Sequence, residues 1–195
     1  MTQRRQISKV EPNPTALKAL AHPVRLRMLA LLRIDGPATA SGLAQRLGLN
    51  SGATSYHLRQ LAQHGFIEED TERGSRRDRW WRASHESTSF MTNDAEGEAL
   101  DSGIAFGQAA LNWQMQQMQG ALREYAGLPS PWRKASTISD YAIPMTAEAA
   151  AELVRKLEAL LEEAQAAAPR LGAPLPDGMR PFAIILHAAP YVTEP

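Results

Sequence analysis

The sequence predicts a mainly α fold with small β, in two parts. A set of short helices closed by a hairpin comes first, and a helical C-terminal unit with a short two-stranded sheet follows. Three observations predict this. Apolar residues recur at helical spacing over 14–21, 23–35, 40–47, 51–64, 94–126 and 146–168, each run bounded by a cap or a breaker. Strand-like runs occur only at 66–82, 137–143 and 181–187. The charge also divides along the chain: residues 1–85 hold 14 Lys and Arg against 7 Asp and Glu, and residues 86–195 hold 7 against 14. A formal net charge of zero thus conceals a balance of +7 followed by one of −7.

A chain of 195 residues suits one domain or two small ones, and 44% hydrophobic content is enough for a core. Cysteine is absent, which excludes disulfides and thiolate metal sites. The first residues lack the apolar run of a signal peptide, and no later run is long enough to span a bilayer. The simplest expected location is the cytoplasm, with no membrane partner.

Residues 1–12 read as a polar arm containing Arg4 and Arg5. Asn13 caps a first helix and Pro14 fits its first position. Pro23 opens a second, with Val24, Leu26, Leu29, Leu31 and Leu32 on its apolar side and Arg25, Arg27 and Arg33 on its positive side. Thr39 or Ser41 caps a third helix, closed by Gly48. Asn50 caps a fourth, 51–64, ended by Gly65. Thr54, Leu58 and Leu61 share its inner face, while Ser51, Gly52, Ser55, Tyr56, Arg59 and Gln60 share its outer face, which carries no acid. Two short helices joined by about three residues form a helix-turn-helix, whose second helix enters the major groove. There Arg can read guanine, Gln can read adenine, and small residues let the helix sit deep.

Residues 66–70 then read as a strand, Gly74 as a turn and 76–82 as the returning strand, a hairpin placed as a wing. Arg73, Arg76, Arg77 and Arg79 on this ribbon suit phosphates or a minor groove. Trp80 and Trp81 point to opposite faces, so only one can lie fully in the core. The plain alternatives are a surface helix and a solvated basic hairpin; the co-occurrence of helix, turn and wing favours DNA.

These residues carry a resemblance. The runs Ala21-His22-Pro23-Val24-Arg25-Leu26-Arg27-Met28-Leu29, Gly42-Leu43-Ala44, Thr54-Ser55-Tyr56-His57-Leu58-Arg59-Gln60-Leu61 and Gly65-Phe66-Ile67 closely resemble the ArsR-type winged helix-turn-helix regulators. The resemblance covers about 12–85. It implies a dimeric DNA-binding protein, most often a repressor, in which 51–64 reads the major groove and 66–82 is the wing. The family's Ser-x-His-Leu signature falls on Ser55, His57 and Leu58. Many members sense metal through a cysteine pair, absent here; others use a C-terminal helix, and none of His22, His57, His64, His85 and His187 lies in 94–126 or 146–168. Neither a metal nor a cofactor is therefore expected. His57 reads as a packing or phosphate-facing residue, and His22 as part of the turn before the second helix.

Residues 86–97 read as a linker between a 12–85 domain and a 98–195 dimerisation or effector domain. In the long helix that follows, Leu111, Met115, Met118, Leu122 and Tyr125 are spaced four, three, four and three, a heptad seam suited to a symmetry mate. Its methionines and Trp113 would equally line an apolar pocket, so a small-molecule effector stays open beside ordinary packing. Thr146 caps an amphipathic helix to 168, and strands at 137–143 and 181–187 are expected to pair. No nucleophile triad, phosphate-binding glycine loop or metal cluster is present in the sequence, so an enzyme is not expected. The expected function is a dimeric, sequence-specific DNA-binding regulator acting on an inverted repeat. The alternative is a winged-helix interaction or dimerisation scaffold, which would need neither the acid-free helix face nor the wing arginines.

Overall fold

Side-chain caps begin most of the longer helices in this computed structural model, which describes residues 5–73, 78–88 and 95–191. Asn13 accepts the Ala16 N–H at the start of α1 (Pro14–Leu20), and Thr39 accepts the Gly42 N–H at the start of α3 (Ala40–Leu47). Asn50 accepts the Ala53 N–H for α4 (Ser51–Gln63), and Thr146 the Ala149 N–H for the C-terminal helix Ala147–Ala167. Each satisfies a donor that helix geometry leaves free, typically worth about 1 kcal/mol. α2 (Pro23–Ile34) differs: His22 caps it through Nδ1, which accepts the Val24 N–H at 3.2 Å. Gly48 ends α3 with φ +66, a left-handed conformation that lets the chain turn straight into Asn50.

The chain divides into two units. One is Gln6–Trp113 with Pro169–Pro181; the other is Gln114–Ala168 with flanking terminal residues. In the first, β1 (Lys9–Val10) precedes α1, and β2 (Ala38–Thr39) lies between α2 and α3. After α4 come β3 (Ile67–Glu69), β4 (Trp80–Ala83) and β5 (Ser87–Thr88). β4 is the centre of a three-stranded antiparallel sheet, with Glu69 opposite Trp81 on one side and Ala38 opposite Trp81 on the other. β1 pairs in parallel with β5. The hairpin is therefore buttressed by the segment that leads into α3, which fixes its place beside α4.

The core of this unit joins Leu20, Met28, Leu29, Leu32, Leu43, Leu58, Leu61, Phe66 and Trp81. Trp81 is buried and Trp80 only half-buried, as alternation on a strand requires. The long helix α5 (Gly97–Glu124) begins here, with Ala109 and Phe106 against the same core. Pro169–Pro181 returns to the end of α2, where the Gly172 N–H donates to the Ile34 carbonyl at 3.1 Å. A Cβ on Gly36, whose φ is +90, would lie 2.3 Å from the Gly172 carbonyl oxygen. Gly36→Ala is expected to lower stability by about 1–3 kcal/mol, through the backbone conformation and this clash. The denaturation midpoint reads it; an unmoved midpoint would mean the return segment is not held there.

In the second unit, α5 continues to Glu124, a 3-10 turn covers Tyr125–Gly127, and α6 (Ser130–Ala135) and α7 (Ala147–Ala167) follow. The Trp132 and Phe182 rings lie 6.2 Å apart, and His187 Nε2 is 2.8 Å from Gln114 Oε1. Arg5 donates from Nε to the Ala168 carbonyl, so it neutralises the C-terminal end of α7. Arg4 lies outside the described residues.

The strands expected at 137–143 and 181–187 do not form: both segments are unpaired and without regular structure. Ile138 and Tyr141 are each 84% exposed. Strand propensity reflects packing on a half-buried sheet, and two isolated strands without that packing are marginal. The small β content therefore sits in the first unit, and the C-terminal region is helical. None of the described helices is long and apolar enough to cross a membrane.

Candidate nucleic-acid interface

α4 packs through Thr54, Leu58 and Leu61, all buried, and the Thr54 hydroxyl donates to the Asn50 carbonyl at 3.0 Å. That inner face orients the outer one. Ser51, Gly52, Tyr56 and Arg59 are exposed, and Ser55 and Gln60 half-buried. These six residues form one contiguous helical face without a carboxylate. A Cβ at Gly52 would touch only the Asn50 side chain, at 3.4 Å, so a low profile rather than backbone geometry distinguishes glycine there.

Ser55 and Arg59 also line a cavity of about 290 Å³ with Thr39, Ser41, Asp78, Arg79 and Trp81. The cavity joins α4 to the first turn of α3 and to the β4 arm. Its walls mix two guanidinium groups, hydroxyls and one carboxylate.

The hairpin arginines are more constrained than their sequence suggests. Arg79 pairs with Glu69 at 3.1 Å and lies over the Trp81 ring, 5.7 Å from its centroid. Arg73 reaches Asp70 at 3.6 Å, and Arg82 reaches Glu68 at 2.9 Å. The Arg79 and Arg82 pairs are exposed, so they are weak and exchange readily for a phosphate, whereas Asp70 is buried. Arg76 and Arg77, the expected tip contacts, lie outside the described residues.

The positive side of α2 divides. Arg33 turns inward and donates to the His85 carbonyl and the Thr88 hydroxyl, both at 2.9 Å. Burial lowers it to about 10, so it stays cationic at neutral pH and serves the fold. Arg25 instead stands near Tyr56, beside His22 and His57, whose rings are 4.6 Å apart. Burial, and then Arg25, hold His22 below the ordinary histidine range. Burial, then His22 and Arg25, do the same for His57. His22, expected in the turn before α2, is thus its cap, and Arg25, not among the expected interface residues, stands beside Tyr56. Histidine is not among the usual cap residues, and nothing local in the sequence marks the contact between the two rings. No group of three or more metal-ligating side chains occurs among the described residues.

Residues 20–70, from the end of α1 into the first strand of the hairpin, match the helix-turn-helix domain family. The chain is 37% identical over 79 residues to the HTH-type transcriptional regulator YgaV of Escherichia coli strain K12, covering 40% of this chain and 77% of that protein. Among solved structures it is similar to reduced HlyU from Vibrio cholerae N16961, with 31% identity, 35% of this chain, 67% of the other and a TM-score of 0.31. It is also similar to the homodimeric winged helix-turn-helix domain Mb0332 from Mycobacterium bovis, a possible ArsR-family regulator. That match has 24% identity, 50% of this chain, 74% of the other and a TM-score of 0.33. With its capped helix pair, its buttressed hairpin and the YgaV relationship, this chain belongs to the winged helix-turn-helix family of DNA-binding transcriptional regulators.

Proposed function

We propose that the chain is a cytoplasmic, homodimeric repressor of the ArsR type that reads an inverted-repeat operator, with 12–85 as the DNA-binding domain, 86–97 as the linker and 98–195 as the dimerisation region. The observation that carries this reading is the outer face of α4. Ser51, Gly52, Ser55, Tyr56, Arg59 and Gln60 are presented together, acid-free, on a helix whose inner face is locked in a core. Small residues at the helix start allow close approach, while Arg59 offers two donors to a guanine edge and Gln60 a donor and an acceptor to an adenine edge. Arg73, Arg76, Arg77 and Arg79 supply backbone contacts from the wing and account for the salt dependence.

Dimerisation is supported by α5. Leu111, Met115 and Leu122, with Tyr125 in the 3-10 turn just beyond the helix, are each more than 40% exposed, and they repeat with the spacing of a two-stranded seam. An identical helix related by a two-fold axis offers the complementary knobs and holes, and the same axis matches an inverted repeat.

Arg59→Ala is expected to lose base discrimination at one operator position, costing about 1–3 kcal/mol. Arg79→Ala should instead weaken cognate and scrambled duplexes alike and reduce the salt slope by about 1. Affinities measured on both duplexes at several salt concentrations separate the two roles. An Arg59 variant that discriminates as the wild type does would remove that residue from base reading.

A further inference from the structure

One polar cluster lies where the start of α2 meets the middle of α4. His22 Nδ1 is occupied by the Val24 N–H, so its ring carries its neutral-state proton on Nε2. The Tyr56 ring meets His57 edge-on, with centroids 5.4 Å apart. Arg25 Nε and His57 Nδ1 are both buried, and neither has a hydrogen-bond partner. Buried polar atoms without partners are uncommon, and an unpaired guanidinium N–H is especially costly. Both stand at one junction, beside a 51% exposed tyrosine on the base-reading helix, where Arg25 lacks an acceptor and His57 gains a second donor only when it is protonated.

No carboxylate fills that place. On α2, Arg27 lies across the helix from Arg25, and Arg33 is held by His85 and Thr88. The charged residue of α1, Lys18, reaches Glu98. α3 contributes Arg46, which is paired with Asp35, and β3 contributes Glu68 and Glu69, paired with Arg82 and Arg79. On α4 itself the other ionisable residues are Arg59, on the outer face, and His64, at the C-cap. The groups acting on the two rings are therefore Arg25, Tyr56 and each other.

We propose that Arg25, Tyr56 and the His22–His57 pair form a seat for a phosphate oxyanion, supplied by a DNA backbone phosphate that flanks the bases read by α4. The inference rests on the DNA-reading function above and adds a contact from α2. Arg25 donates from its guanidinium, the Tyr56 hydroxyl donates beside it, and His57 gains a proton as the anion arrives, while His22 keeps Nδ1 on the Val24 N–H. In the free chain burial and Arg25 disfavour the imidazolium forms. A phosphate reverses that sign, so the complex holds more protons than the free protein and its affinity rises as pH falls from 8 toward 6.

The test follows the histidine ring protons by NMR in the full-length chain between pH 5 and 8. Three samples are compared: free protein, protein with duplex operator, and protein with inorganic phosphate at equal phosphate concentration. His57 should titrate below 6.5 when free and about one unit higher on the duplex, a roughly tenfold gain in proton affinity, with His22 lagging because its protonation would break the α2 cap. Inorganic phosphate should move them much less. Arg25→Lys, which keeps the charge but removes the Nε–H, should shrink that shift, and Arg25→Gln should abolish it and reduce the salt slope by about 1. Duplex binding that leaves both titrations unmoved would overturn the seat while leaving base reading by α4 intact. A shift by inorganic phosphate equal to that by the duplex would overturn the backbone source. Failure to bind any duplex would overturn both proposals together.

Discussion

Phe66→Ala is expected to remove about 3–5 kcal/mol of stability. Phe66 is fully buried at the hinge between α4 and the wing. Its N–H donates to the Leu61 carbonyl at 3.0 Å, and its own carbonyl accepts the Ser84 N–H at 3.1 Å. The ring lies in the same core as Leu58, Leu61, Ile67 and Trp81. Truncation removes apolar transfer energy and leaves a cavity that rigid neighbours fill only in part. Because a domain is stable by only about 5–15 kcal/mol, this one change takes up much of the margin. Urea denaturation should show a lower midpoint at an unchanged slope. Phe66→Leu should cost markedly less, since it keeps most of the volume. A loss below about 1 kcal/mol for alanine would mean that the ring does not hold wing and recognition helix together.

The second large effect is on operator affinity. Met115→Glu with Leu122→Glu places charges on two seam positions that are 55% and 54% exposed in the single chain. Neither residue belongs to the buried core, so the fold of Gln6–Trp113 should survive. In a symmetric pair each glutamate faces apolar or like-charged partners, and the dimer should fall apart. Two linked half-site readers gain about 10²–10⁴ in affinity over one, so operator binding should drop by a factor of that order. Light scattering reads the mass and a titration reads the affinity. A variant that stays dimeric would place the interface elsewhere.

The legible parts of this fold are those with local causes. Asn13, Thr39, Asn50 and Thr146 each stand three residues before the N–H they satisfy, so their helices begin where the sequence says. The inner face of α4 follows from the period of Thr54, Leu58 and Leu61 alone. What was not legible depends on distant partners. β2 is only two residues long and exists because β4 passes beside it, some forty residues later. Residues 137–143 and 181–187 have strand composition, yet composition supplies no neighbour. The contact of Gly36 with Gly172 joins segments far apart in the chain. Most of the outer face of α4 follows from helical spacing, whereas the pairing of Arg79 with Glu69 and the placement of Arg25 beside Tyr56 depend on how separate elements pack.

The most direct test of the central claim is a selection of bound sequences from random duplex DNA by the purified full-length protein at physiological salt. A dimer that reads bases through α4 enriches an inverted repeat whose half-sites lie about one helical turn apart. Binding without enrichment, or an enriched site without two-fold symmetry, would contradict a dimer that reads bases through α4.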